Sequence, residues 1–357
     1  MSECLKSGNI SVDCKDDNGN TALWYACHSG HIQVVELLLT HIIDMNTLPP
    51  VPDEEINENI TNPHIIATLN VRNKEGKTVL MAAAIAGRKE VCELLLTRGC
   101  DINVQNNNGA TAMLIAASAG HHDVVELFLT HGCKKHIVDN DRNNALIHSC
   151  KNGHIEVSKL LLTHGIKINI KNKNGYTALI YAASIGATEL IELLFAHSFE
   201  QDIQVLDMIE TKTKDGNNAL MYAAEGGHLP VIKLLVSNKC NIFTHNDRGV
   251  TALMKAVEHG YHDVCDYFLT YNHYNRMTSE ESIAKINYIN KQNNLFKTAL
   301  IIGAEKGRKE VIPILLSHSC DVHLHDVENN TGTHFAYSLT HSCLLTHTYY
   351  SVILGPS

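Results

Sequence analysis

The chain of 357 residues has one tryptophan, seven prolines and no surplus of positive charge. Its formal net charge is −9, which argues against non-specific binding to nucleic acid. No apolar run approaches the roughly 20 residues that cross a bilayer, so no membrane span is expected. The first ten residues, MSECLKSGNI, contain no long apolar core, and no signal peptide is expected. Eleven cysteines are present, yet none forms a C-x-x-C pair, the spacing shared by common zinc and redox motifs. There is no phosphate-binding loop, no G-x-G-x-x-G set between strand and helix, and no nucleophile elbow. No catalytic residues, cofactor or metal site are therefore expected, and the chain does not read as an enzyme.

What the sequence does contain is a repeat. The stretch 106–135, NNNGATAMLIAASAGHHDVVELFLTHGCKK, is one unit of it. Eight copies align on one polar residue each: Thr21, Thr78, Thr111, Asn144, Thr177, Asn218, Thr251 and Thr298. Steps from Thr78 through Thr177, and from Asn218 to Thr251, are 33 residues. The remaining steps carry insertions of 24, 8 and 14 residues. A fixed period of this size indicates a solenoid of stacked supersecondary units.

Each column has a physical reason. Nine residues after the aligned polar residue stands glycine in every copy, from Gly30 to Gly307. That column predicts helix ends with φ > 0. A short Ala-rich helix precedes it, started by a Thr or Asn side chain that can cap the first turn. Small pairs such as Ala116-Ala117 let neighbouring helices approach closely. A second helix follows, with an apolar stripe such as Val124, Val125, Leu127, Phe128 and Leu129, repeated in the first copy as Val34, Val35, Leu37, Leu38 and Leu39. Two helices this short bury their stripes only by stacking on neighbours. Between units, a polar segment with glycine two residues before the aligned residue reads as a tight turn. Arg142 and Phe296 replace that glycine in the fourth and eighth copies. Both are expected to be strained if the turn needs φ > 0, and their turns to be the least regular.

The G-x-T-A-L segment, Ala116-Ala117-Ser118-Ala119-Gly120-His121, the V-V-E-L-x-L helix and the return Gly99-Cys100-Asp101-Ile102-Asn103 resemble the ankyrin repeat family. The resemblance covers roughly residues 8–327. It implies an all-α ankyrin-repeat solenoid of about eight helix-turn-helix repeats with short β-hairpin-like turns. The stack would be elongated, concave on one side and about 80 Å long. The family's Pro after Thr is Ala or Val here, and its His two positions later is apolar (Trp24, Met81, Leu114 and their equivalents). The loop clamp around the Thr should therefore be weaker. Residues 1–15 read as a partial N-terminal repeat, 16–327 as the ankyrin repeat domain and 328–357 as a degenerate cap or disordered tail.

The insertions fall at about 47–70, 199–209 and 271–287, at one phase, between a second helix and the next turn. The first, with Pro49, Pro50, Pro52 and four acidic residues, reads as a mobile loop. The second could extend the finger or form one helical turn. Thr278-Ser279-Glu280-Glu281 in the third is a capping box for a helix through about Lys285. Cys100, Cys133, Cys240 and Cys320 share one column. Their expected spacing of about 8–10 Å exceeds the reach of a disulfide, so buried thiols in a reducing cytoplasm are expected. His31, His121, His154 and His228 open second helices, and His41, His131, His164, His197 and His318 close them. His323, His325, His334, His341 and His347 are less regular but lack supporting carboxylate or Cys spacing for zinc.

By the family resemblance, a partner protein would lie against the turn tips and the exposed ends of the first helices. These are Lys74, Glu75, Lys77 and Ile85 in the second repeat, and Asn107, Asn108 and Ser118 in the third. The fourth offers Asn140, Asp141 and Lys151, and the fifth Tyr176, Ser184 and Ile185. Glu225, Glu258 and Glu305 form an acidic column in the last three repeats. Lys214, Arg248 and Lys306 lie beside it, and a partner with a basic segment would suit it. The expected role is a non-catalytic scaffold or adaptor, acting as a monomer in the cytoplasm or nucleus. The alternative is the substrate-recognition part of a larger machine, such as a ubiquitin ligase adaptor or an ankyrin-bearing kinase. Asn103 and Asn169 occupy the return-segment position at which family members can be hydroxylated.

Overall fold

The computed structural model describes residues 14–46, 63–271, 285–318 and 320–332. The chain divides into two compact units, residues 1–173 and 174–357. In the first, paired helices run α1 (Ala22–Ser29) and α2 (Ile32–Asn46), α4 (Val79–Ile85) and α5 (Lys89–Thr97), α6 (Ala112–Ala119) and α7 (His122–Thr130), then α8 (Ala145–Lys151) and α9 (Ile155–Thr163). A single helix, α3 (Pro63–Leu69), lies between the first two pairs. The second unit holds α10 (Ala178–Ser184) and α11 (Thr188–Ser198), α12 (Val205–Ile209), α13 (Ala219–Glu225) and α14 (Leu229–Ser237), and α15 (Ala252–His259) and α16 (His262–Thr270). After these come α17, described over 285–289, and the pair α18 (Ala299–Glu305) and α19 (Val311–Ser317). Among the described residues there is no strand, only the isolated bridges His245–Thr251 and His325–Thr331.

Within each unit, first helices pack on first helices, α1 on α4 on α6 on α8, and α10 on α13 on α15 on α18. The Ala pairs at the contact are fully buried, which the backbone approach requires. Second helices cover this layer. Phe128, Leu95, Leu161 and Leu235 sit in it without exposure, each burial contributing about 1.5–3 kcal/mol. At the first repeat the stripe is incomplete: Val35, Leu39 and Ile42 are buried, but Leu37 is 70% exposed. Trp24 is half-buried and stacks on His28 at 5.3 Å; its indole N–H is shielded from solvent without an acceptor among the described residues.

The start of each first helix is capped as the sequence predicts. Thr Oγ1 accepts from the amide three residues on, at 3.2–3.4 Å in the six Thr repeats. Asn144 and Asn218 cap with shorter bonds, 2.9 and 3.1 Å, and their Nδ2 groups also donate onward, to the Lys167 carbonyl and Thr244 Oγ1. The long Thr bonds agree with the weakened clamp, and the two Asn copies partly restore it. A further column anchors the turns. Asp16, Asn73, Asn106, Asp139, Asn246, Asn293 and Asp326 each accept from two backbone amides of the following turn through Oδ1. This Asx turn is the local hydrogen-bond alternative that Asp and Asn offer a backbone.

All eight column glycines are left-handed, with φ between 66° and 83°. So are the turn residues two before each cap, including Arg142 at 65° and Phe296 at 57°. Strain at both positions is as expected, but the expected irregularity is absent. The two turns close like the rest, with Arg142 N–H on Asp139 O at 2.9 Å and Phe296 N–H on Asn293 O at 2.8 Å. The Asx side chain holds the turn whatever residue follows it.

The first and third insertions differ from expectation, and the second takes its helical alternative. The C-terminal end of the first is not loop: 63–69 is helical, and Leu69 is fully buried. The second forms a short 3₁₀ turn (Phe199–Gln201) and α12. In the third, helix continues to 289 rather than stopping near Lys285; the capping box lies outside the described residues. All three helices end nine residues before a cap, on buried Leu69, Ile209 and Ile289. The next side chain then accepts an amide from the following repeat: Asp101 N–H on Asn70 Oδ1, Asn241 N–H on Glu210 Oε1, Asp321 N–H on Asn290 Oδ1, at 3.1, 3.2 and 2.7 Å. In the uninserted third repeat Asn103 does the same for Lys134, at 2.8 Å. Each insertion thus rejoins the repeat with this bond kept. Beyond α19 the turn of a ninth unit forms at 326–331 with Asn329 left-handed, while residues 1–13 and 333–357 lie outside the described residues.

Two stability predictions of opposite sign follow from the backbone. A Cβ on Gly120 would lie 2.6 Å from His154 Nδ1, besides the left-handed penalty of about 1–2 kcal/mol. Gly120→Val should therefore lose at least about 2 kcal/mol and split urea unfolding into separate steps, as nearest-neighbour coupling requires. A single transition at the wild-type midpoint contradicts this. Arg142→Gly should instead gain about 0.5–1 kcal/mol, the relieved strain less the added unfolded-state entropy. A lowered melting temperature would show that the turn does not strain Arg142.

Candidate protein-binding face

The predicted site residues stand on a backbone that is itself hydrogen-bonded from repeat to repeat. In the first unit the turn-tip amides of Lys74, Asn107, Asn140 and Lys173 donate to the carbonyls of Asn18, Glu75, Asn108 and Asp141, at 2.8–3.0 Å. In the second unit Lys214, Asp247, Asn294 and Val327 donate to Asn174, Asp215, Arg248 and Leu295, at 2.9–3.3 Å. Adjacent tips are thereby fixed side by side within each unit.

At the other edge of the first helices the fixing group is a side chain. His121 Nε2 donates to Ile85 O at 2.9 Å, and His154 Nε2 to Ser118 O at 3.0 Å. In the second unit His228 Nε2 reaches Ser184 O at 3.1 Å and Arg308 Nε reaches Glu258 O at 2.9 Å. His121, His154 and His228 are thus structural ties. Those closing them also bond: the Nδ1 groups of His131, His164, His197 and His318 donate to the carbonyl four residues back. His325 Nδ1 meets Asp326 O, and His334, His341 and His347 lie outside the described residues.

The side chains of the predicted site fall into three groups. Lys74, Asn108, Asp141 and Lys151 are exposed, as is Ile185 at 40%. Asn107 and Asn140 are exposed but tied: Asn107 Nδ2 donates to Lys74 O and Asn140 Nδ2 to Asn107 O. Ile85, Ser118, Ser184 and Tyr176 are half-buried. Lys77 pairs with Glu75 at 2.5 Å, so neither charge is unopposed.

The acidic column is altered most. Glu225 pairs with Lys255 at 3.0 Å and Glu305 with Lys297 at 2.6 Å. The neutralising lysines are not among the Lys214, Arg248 and Lys306 that the sequence sets beside the column. Lys255 stands four residues past its cap and spans to the preceding repeat; Lys297 stands just before its cap and reaches Glu305 at the far end of the same first helix. Of the three, only Glu258 has no ion pair among the described residues.

Sequence reasoning missed three residues of this face. Leu295, Phe296 and Val327 are 55%, 56% and 60% exposed at adjoining turn tips of the second unit. Tips of the other repeats carry Asp, Asn, Lys, Glu or Arg at the two outermost positions. The signal is present as apolar residues in polar columns, of which Phe296 alone stands out in the sequence, as a strained turn residue.

Burial makes most of the described thiols poor nucleophiles. None of the nine described cysteines is in a disulfide. Burial pushes Cys92, Cys100, Cys150 and Cys265 up to about 12, and Cys133 and Cys320 up to about 11. Cys14 alone of the nine is exposed. At pH 8 a thiol at about 12 is ionised to roughly one part in ten thousand, and the thiolate is the reactive form. In the native protein, iodoacetamide should label Cys14 at least about a hundredfold faster than Cys150 or Cys265. Peptide mass spectrometry would contradict this if the labelling rates were equal.

The description "Ankyrin repeats (3 copies)" belongs to a family model that matches residues 1–50, 54–139, 129–207 and 204–281. The eighth cap, its two helices and the ninth turn extend the same architecture beyond residue 281. No curated protein sequence matches the chain. With most of its length matched and the repeat geometry continuing past the match, the chain belongs to the ankyrin repeat family.

Proposed function

We propose that the chain is a non-catalytic scaffold or adaptor that binds a partner protein through its turn tips and first-helix ends. The observation carrying this reading is the exposed apolar set Leu295, Phe296 and Val327. Phe296 occupies a left-handed position, which costs about 1–2 kcal/mol for a residue with a Cβ, while its ring remains largely in solvent. Strain held at an exposed apolar residue is typical of contact sites. Ankyrin repeats in general mediate protein–protein interaction, which supports the same reading. No helix among the described residues is long and apolar enough to cross a membrane. The buried cysteines, none in a disulfide, support a reducing compartment, the cytoplasm or nucleus.

A photo-crosslinking residue at Leu295 should capture a partner that one at Glu192, exposed on α11, does not. For that partner, Phe296→Gly should raise the melting temperature of the free chain and weaken binding at least about tenfold, the scale of a contact hot spot. Equal capture at both positions, or unchanged affinity in the stabilised variant, overturns the proposal. A captured ligase core or kinase would place the chain as the recognition part of a catalytic assembly.

A further inference from the structure

The second unit carries a group of aromatic residues distinct from the apolar tips. Tyr181 and Tyr222 stand four residues past their caps, in α10 and α13, and Tyr176 stands just before the first of these caps. The Tyr176 ring stacks on Tyr181 at 4.9 Å and 22°, and lies 5.4 Å from Tyr222. The Tyr176 and Tyr222 hydroxyls meet at 2.6 Å. All three side chains are half-buried, so each keeps part of its surface open to solvent.

Both signs of charge stand at the tips near the rings, and the fixed charge that acts on Tyr176 is that of Asp215. Asn174, in the same turn as Tyr176, accepts the amide of Lys214, which sets Asp215 at the adjoining tip. Asp247 follows at the next tip, its amide on Asp215 O at 3.3 Å. Asp215 and Asp247 are exposed and have no ion pair among the described residues. The nearby cations are partly committed: Lys255 to Glu225, and Lys212 to the His245 carbonyl at 3.2 Å. Lys173, Lys214 and Arg248 are exposed at the same tips. Ionisation of Tyr176 is suppressed by burial first, then by its bond to Tyr222, with the Asp215 charge adding to it. The Tyr176 phenol therefore carries no charge of its own at physiological pH.

Neutral aromatic faces bordered by carboxylates favour a cation. Resting on the protein-binding reading above, we propose that Tyr176, Tyr181, Tyr222 and Asp215 form a subsite for an arginine or lysine side chain of the partner. The rings would take the flat or apolar part of the side chain, and Asp215 its charge. This places a basic side chain beside the aromatic group instead of along the Glu225, Glu258 and Glu305 column, two of whose members are already paired.

The test uses the full chain with ¹³C-labelled tyrosine rings, titrated with acetyl-Gly-Arg-Gly-amide and with its Leu and Glu counterparts. The Arg peptide should shift the Tyr176 and Tyr222 signals saturably, and the Glu peptide should not. Asp215→Asn should weaken the Arg response at least about threefold, and Tyr222→Phe, which keeps the ring, should retain it. Tyr222→Leu should abolish it in a variant that still melts cooperatively. The proposal is overturned by no saturable shift, by a Leu peptide that acts as strongly as Arg, or by a response indifferent to Asp215→Asn. Any of these with crosslinking at Leu295 intact removes the cation subsite and leaves the protein-binding reading standing.

Discussion

Within each unit, most repeats are held by a close seat offered by the one before. The final carbonyls of a helix have no intrahelical partner. Here one of them, at Ile85, Ser118, Ser184 or Glu258, is taken by the side chain that opens the next repeat's second helix. That side chain can come so near only because the intervening column residue is glycine. At Gly87, Gly120 and Gly186 a Cβ would stand 2.5–2.6 Å from the incoming imidazole. The glycine column thus answers two demands together, a left-handed helix end and an empty space. Because the space is filled from the neighbouring repeat, local helix termination and stacking become the same event.

The insertions obey this constraint by staying away from it. None interrupts the run from the turn through the second helix, where the seat, the cap and the tip ladder lie. Each closes on a short helix that delivers a buried aliphatic residue and then a side-chain acceptor at one fixed phase. Two Asn and one Glu serve equally as that acceptor, since an amide or carboxylate oxygen satisfies a backbone N–H. An inserted loop of any length is then a problem of closure entropy, which rises slowly with length. Asn103, the return-segment asparagine expected from the sequence, uses its side-chain oxygen for this same bond, so it belongs first to the stack.

The repeat count, helix order, caps and left-handed positions were all legible in the sequence, because each is a demand of local backbone geometry that few residues meet. The Asx column was equally regular, but Asp and Asn are ordinary in any polar turn and Thr213 interrupts it, so it did not stand out. The helix at 63–69 was hidden behind an acidic, proline-rich segment and is too short to show a period. Ion pairing escaped for a different reason. Lys255 and Lys297 reach Glu225 and Glu305 from columns that no same-column comparison sets beside them. Charge balance on a solenoid face depends on lateral neighbours, which follow from stacking geometry and not from register alone.

Strain at Arg142 and Phe296 bears on how such a face can specialise. The Asx oxygen and the tip ladder fix the turn from both sides, so a side chain with a Cβ is carried there at a local cost without disturbing its neighbours. The backbone of the finger is therefore a constant, and the tip side chain is a variable. Arg142 spends that freedom on a solvated charge, which any partner-free surface would accept. Phe296 spends it on an exposed ring beside Leu295 and Val327, which water disfavours. Neither burial nor turn geometry explains an aromatic residue at that position, since its ring fills no core and glycine satisfies the turn better. A second protein surface would supply the missing burial.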